Sequence, residues 1–122
     1  MKKVIRSFGY AFKGIRYAYA TQLNFRIHSA ATVIAIAAGL FLNISAAEWL
    51  WITVAITLVI ITEMLNTALE LLTDLTSPEY NPKAGHVKDI SAGCVVIAAV
   101  FALITAAVVF LPKLILLINH AA

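Results

Sequence analysis

The sequence predicts an all-α integral membrane protein, with an N-terminal amphipathic surface helix followed by three transmembrane helices, on three observations. Only 12% of the 122 residues are charged and 62% are hydrophobic, with a mean hydropathy of +0.94; a water-soluble domain carries roughly 25% charged residues. Two runs lack Asp, Glu, Lys and Arg altogether: the 21 residues between Arg26 and Glu48, and the 23 between Asp89 and Lys113. About 20 apolar residues suffice to cross a hydrocarbon core of roughly 30 Å. Six of the nine basic residues (Lys2, Lys3, Arg6, Lys13, Arg16 and Arg26) fall within the first 26 positions, as expected of a chain that holds one end on an anionic membrane surface. The length accommodates a single membrane-embedded domain, residues 1–122. A pI near 9.2 therefore points to lipid phosphates and not to nucleic acid. The lone Cys94 excludes an internal disulfide framework.

Residues 1–26 are expected to form the surface helix. Val4, Phe8, Ala11, Ile15 and Ala18 recur at helical spacing, with Phe12 and Tyr19 beside them, while Lys2, Lys3, Arg6, Lys13 and Arg16 fall on the opposite side of the wheel. Such a helix lies in the headgroup layer, apolar face down, and offers its cations to phosphates. The segment is too long and too aromatic for the n-region of a signal peptide, so the apolar run that follows reads as a retained span in spite of Ser45-Ala46-Ala47.

The first span is expected over about 29–47. The second, about 49–72, opens with Glu48, Trp49 and Trp51 at an interface and is free of charge except at Glu63 and Glu70. Residues 73–89 read as a loop, and the third span runs from Ile90 to Leu111, with Pro112 and Lys113 as its stop. With three crossings, the N-terminal segment and the 73–89 loop share a side and carry eight basic residues against one, Lys113, on the other. That bias predicts a cytoplasmic N terminus and second loop, with the C terminus outside. Ala98, Ala102 and Ala106, with Ser91, Ala92 and Gly93, form a small-residue face suited to close helix packing and compatible with a homo-oligomer.

The anomalous residues are the acids of the second span. Glu63, Asn66, Glu70 and Asp74 have offsets of 0, 3, 7 and 11, which place them within an arc of roughly 80° on a helix. A carboxylate at membrane depth costs several kcal/mol unless paired, hydrated or metal-bound, which makes it a functional candidate. Carboxylates with an amide make an oxygen-rich set suited to Mg²⁺ and to the phosphates it accompanies; an acid free of metal can serve as a general base. A proton relay in a small transporter is the alternative. Lys88 and Asp89, just before the third span, are placed to contact phosphate on the same side; a plain salt bridge at a helix start is the bland reading of that pair. The five glycines form neither a GxGxxG nor a GxxxxGK pattern, which excludes the familiar nucleotide loops. His28, His86 and His120 lack metal-ligand spacing and read as interfacial, without a catalytic role.

Taken together, Glu63-Met64-Leu65-Asn66-Thr67-Ala68-Leu69-Glu70, Asp74 and Lys88-Asp89-Ile90-Ser91-Ala92-Gly93 resemble the signature of the prokaryotic diacylglycerol kinase and undecaprenol kinase family. The resemblance extends to Gly9-Tyr10, Phe12-Lys13-Gly14 and Arg16, to Asn24-Phe25-Arg26-Ile27-His28, and to Phe110-Leu111-Pro112-Lys113. It implies a small homotrimeric lipid kinase of the bacterial cytoplasmic membrane that takes the γ-phosphate of Mg·ATP directly to a lipid hydroxyl, with sites shared between subunits. On that reading Glu63 is the base acting on the lipid hydroxyl and Asn66 positions it. Glu70 binds metal, and Asp74, Lys88 and Asp89 serve the nucleotide. The surface helix brings Tyr10 and Arg16 to the nucleotide and Phe12 and Lys3 to the lipid. Where the family commonly has a metal-binding glutamate, this chain has Gln22, whose amide oxygen can ligate Mg²⁺ without contributing charge. The resemblance leans to the undecaprenol branch on the Asn24–His28 run, Pro82 and the Phe-Leu-Pro-Lys ending; diacylglycerol is the alternative substrate. A noncatalytic helical membrane protein or transporter subunit is the rival of another class.

Overall fold

The computed structural model describes residues 1–122. It contains four helices and no strands: α1 (Lys2–Thr21), α2 (Leu23–Phe41), α3 (Ala46–Thr76) and α4 (Pro82–Ala121). The last three are long and apolar enough to cross a membrane, which bears out the all-α membrane architecture. α3 and α4 run past the apolar segments that define them, because hydropathy marks what the bilayer covers and not where the backbone stops hydrogen bonding, whereas α2 starts at Leu23, before the expected 29, and stops at Phe41, short of the expected 47.

The surface helix ends earlier than residue 26. Gln22 leaves helical geometry at φ −111°, ψ 112°, and α2 begins one residue later. The Arg26 guanidinium spans the break and donates to the carbonyls of Tyr19 (3.3 Å) and Ala20 (3.2 Å), capping α1 with a cation where its last carbonyls lack partners. Ala18 and Phe25 are buried on either side of the bend. As a result Asn24 to His28 belong to the first membrane helix and not to the surface helix.

Between α2 and α3 the chain turns tightly. Asn43 takes a left-handed φ of 51°, and the Ile44 N–H bonds back to the Gly39 carbonyl at 3.2 Å, the six-to-one bond of a Schellman ending. Gly39 is required by a close approach: a Cβ there would lie 2.6 Å from the Trp49 ring. Ser45 opens α3 with a reciprocal capping box, its Oγ accepting from the Glu48 N–H (3.2 Å) and its own N–H donating to Glu48 Oε1 (3.0 Å). Next to this turn Ile44, Ile52 and Val109 form the buried cluster, with Leu42, Trp49, Ile56 and Phe110 against it.

The 73–89 loop is largely helical. Only Ser77–Asn81 lies outside helix: α3 continues to Thr76, and α4 starts at Pro82, where Asn81 Oδ1 accepts from the Lys83 N–H at 2.9 Å and proline sits at the first helical positions. Pro112 does not end the third span, since α4 continues through it to Ala121. A single proline removes one backbone bond while its neighbours keep theirs, a loss that membrane helices accommodate. Lys113 is held against Glu48 at 3.3 Å, which ties the far ends of α3 and α4 together. These two helices pack along their length, α2 packs mainly on α3, and α1 is lightly attached. Only 14 of 122 residues are buried, too few to sustain a water-soluble fold. The exposed apolar surface of α2, α3 and α4 is what lipid would cover.

Candidate active site

The α3 stripe is graded in depth. A helix rising 1.5 Å per residue places Glu63 roughly 22 Å from Glu48, inside a 30 Å hydrocarbon core, with Glu70 near its edge and Asp74 beyond it. Exposure follows the same order: Glu63 is 2% exposed, Asn66 and Glu70 are half-buried and Asp74 is exposed.

The Glu63 carboxylate is buried and meets α2 at His28. His28 Nε2 of α2 lies 3.3 Å from Glu63 Oε1, off the line of a hydrogen bond, so Oε1 is a buried acceptor with no donor. Thr67 Oγ donates to the Glu63 carbonyl at 3.0 Å and leaves the carboxylate free. One turn on, Asn66 uses both ends of its amide: Nδ2 donates to Glu70 Oε1 (3.0 Å) and Oδ1 accepts from Ser91 Oγ of α4 (2.8 Å). This fixes the amide's orientation and one oxygen of Glu70. At the exposed end Lys88 donates to Asp74 Oδ1 at 2.5 Å, crossing from α4 to α3 just outside the apolar stretch that begins at Ile90. The Asp74 carboxylate holds the Lys88 ammonium above the usual lysine range, which keeps a cation at this edge.

Adjoining Glu63 through His28 and through Val59 one turn earlier on α3, an apolar groove of about 350 Å³ runs between α2, α3 and α4, lined also by Ile27, Thr32, Ala55 and Leu103. Small residues make it. Ala31 and Ala35 on α2, and Ala102 and Ala106 on α4, leave space where larger side chains would close the helices together.

The structure thus brings Glu63, Asn66, Glu70, Asp74 and Lys88 into one line across the α3–α4 seam. It does not bring the others to them within one chain. Lys3, Tyr10, Phe12 and Arg16 are exposed on α1, where the Lys13 ammonium sits 5.5 Å from the Tyr10 ring. Gln22 contacts only its neighbour Thr21, at 3.4 Å, and Asp89 is exposed with no ion pair. No three His, Cys, Asp or Glu side chains gather as a metal-binding group. Two participants escaped sequence reasoning. Ser91 falls one turn from Lys88 on α4, a spacing that puts both on one face. His28 is the one titratable side chain in the first charge-free run, a signal outweighed by its lack of a ligand partner in sequence.

Residues 9–110 match the family described as prokaryotic diacylglycerol kinase. Among curated relatives, the diacylglycerol kinase of Synechocystis sp. is 43% identical over 109 residues, covering 88% of this chain and 62% of that protein. The undecaprenol kinase of Bacillus subtilis is 35% identical over 114 residues, 93% of each chain. The diacylglycerol kinase of Escherichia coli K12 is 32% identical over 103 residues, 84% of each.

Proposed function

The chain belongs to the prokaryotic diacylglycerol kinase family, a family of membrane lipid kinases, and from that premise we propose that it phosphorylates undecaprenol to undecaprenyl phosphate with Mg·ATP. The observation that carries the chemistry is Glu63, a buried carboxylate with an unfilled acceptor oxygen beside an apolar groove. A lipid alcohol fits both parts, its chain lying among the alanines of the groove and its hydroxyl reaching Oε1. Glu63 takes the hydroxyl proton as the lipid oxygen forms its bond to the γ-phosphorus, and the bond from that phosphorus to the β–γ bridging oxygen breaks to release ADP. Phosphoryl transfer of this kind depends on positioning and charge neutralisation, which the remaining residues are suited to supply.

Asn66, anchored by Ser91 and Glu70, holds the reacting groups in register. Lys88 offers its ammonium to phosphate, with Asp74 and Asp89 alongside. Glu70 is the metal ligand of this chain, and the donor set fits Mg²⁺: the ion favours oxygen ligands and is usually held by one or two carboxylates plus substrate phosphates. One half-buried carboxylate per chain, with one oxygen already oriented by Asn66, meets that need, and the Gln22 amide adds a neutral oxygen. When bound, the ion neutralises phosphate charge. The α1 residues Tyr10 and Arg16 for nucleotide, and Phe12 and Lys3 for lipid, complete the site. Since they make no hydrogen bond or ion pair with the α3 stripe of their own chain, we place them at a neighbouring subunit's stripe in a homotrimer. The site faces the cytoplasm of a bacterial membrane, on the side of the eight basic residues.

The undecaprenol assignment draws on the Bacillus relative, aligned over 93% of both chains, and on the Asn24–His28 run. The 43% identity to the Synechocystis diacylglycerol kinase favours a second reading, diacylglycerol to phosphatidic acid. Purified protein with Mg·ATP, given undecaprenol and diacylglycerol side by side, decides between them: faster phosphorylation of undecaprenol is expected, and a preference for diacylglycerol would reassign the substrate.

A further inference from the structure

We propose that His28 is a positioning residue for the Glu63 carboxylate, holding it in its reactive orientation at the end of the α2–α3–α4 groove; this rests on the reading of Glu63 as the base. His28 Nε2 lies 3.3 Å from Glu63 Oε1, and of the three carboxylate–base contacts in the chain this is the only one to a buried acid, with side-chain exposures of 25% for His28 and 3% for Glu63. The cationic side chains of the adjoining helices at this end are committed elsewhere: Arg26 of α2 to the carbonyls ending α1, and Lys88 of α4 to Asp74. On α4 the Ser91 hydroxyl is spent on Asn66. On α3 itself the neighbouring charge is Glu70, a like charge that repels Glu63. His28 is thus the side chain set against the Glu63 carboxylate from α2, where it restricts the rotation of that carboxylate.

The imidazole also lines the groove, so it borders both the carboxylate and the space assigned to the lipid. It lies within contact distance of Oε1 without filling that oxygen's acceptor position. An acceptor that must receive the substrate's proton has to be held without being used up, and an imidazole set off the hydrogen-bond line does this. His28 neither gives nor takes the transferred proton: the lipid hydroxyl loses it to Glu63. Sequence reading assigned His28 to the interface; its place in α2, nearly two turns past the bend at Gln22, brings it to the base.

The test uses the full-length protein in detergent with Mg·ATP and whichever lipid alcohol the wild type phosphorylates. H28A is expected to lower kcat about 10²-fold, as for a misplaced catalytic group, with the KM for Mg·ATP unchanged. H28Q, whose amide N–H reaches a similar position, is expected to recover part of the loss. Free imidazole, which the open groove admits, is expected to restore turnover to H28A but not to E63Q. Wild-type kcat in H28A, a loss confined to KM, or a failure of imidazole to restore a variant that melts at the wild-type temperature overturns the proposal. If H28A does not fold, H28N is read by the same three criteria. Full turnover in E63Q would instead overturn the base assignment itself, whereas an inactive E63Q beside a fully active H28A removes only the role given to His28.

Discussion

Asn66 shows how much of the site depends on single hydrogen bonds. Its amide links Ser91 on α4 to Glu70 on α3, so the carboxylate proposed to bind metal is oriented through a hydrogen bond that reaches the neighbouring helix. Replacing Ser91 by Ala removes one neutral hydrogen bond, typically about 0.5–1.5 kcal/mol, and should lower kcat/KM for Mg·ATP roughly three- to tenfold with folding intact. Asn66→Asp should cost more, because it exchanges the donor to Glu70 for a second carboxylate at the same place. Steady-state kinetics at varied Mg·ATP checks both, and Ser91→Ala kinetics equal to wild type would remove the link. Glu70→Ala should raise the apparent KM for Mg·ATP sharply; unchanged nucleotide affinity would take it out of the metal site. The stripe itself was legible, since its offsets on a 3.6-residue wheel need no partner to be seen. Ser91 and His28 were not, because their roles depend on the registers of α4 and α2 against α3, which no single-helix periodicity contains.

At the scale of elements, the spans were legible and their ends were not. Two charge-free runs and the apolar stretch between them located three crossings, yet α3 and α4 extend well past their apolar segments, and a loop expected over 73–89 shrinks to Ser77–Asn81. Caps explain the difference. Asn81-Pro82 starts α4 early, and Arg26 splits the surface helix from the first span by capping α1 across Gln22. The turn from α2 to α3 gathers three devices, Asn43 at φ 51°, the Ser45–Glu48 capping box and the Gly39 contact with Trp49. Ser45→Ala is expected to cost about 1 kcal/mol. Gly39→Ala, which sets a methyl 2.6 Å from the Trp49 ring, is expected to cost about 1–3 kcal/mol by overpacking. Thermal melts in detergent should show both variants below wild type with kcat preserved in the surviving protein, since this turn lies at the opposite end of α3 from Asp74. An unchanged melting temperature for Gly39→Ala would mean that Trp49 does not pack as described.

For the whole molecule, scarcity of charge is the organising fact. Few residues are buried, the apolar faces of α2, α3 and α4 are left for lipid, and most of the few charges are cations on α1 or belong to a carboxylate line closed by Lys88. The fold class was readable from composition because the bilayer imposes it; the groove beside Glu63 was not, because it arises where alanines of separate helices face one another. The eight basic residues on one side predict that this side faces the cytoplasm. In a Cys94→Ala background, cysteine at Lys83 should react with an impermeant thiol reagent only from the cytoplasmic face, and one at His120 only from the other; the reverse pattern would invert the molecule. The central claim, that the buried Glu63 carboxylate is the base that activates a lipid hydroxyl, is tested most directly by transfer of labelled γ-phosphate from Mg·ATP to undecaprenol and diacylglycerol by wild type and Glu63→Gln. Labelled lipid phosphate from the wild type, with a loss of about 10²-fold or more in the folded variant, is the predicted result. Equal labelling by both proteins, or none by the wild type with either lipid, would contradict it.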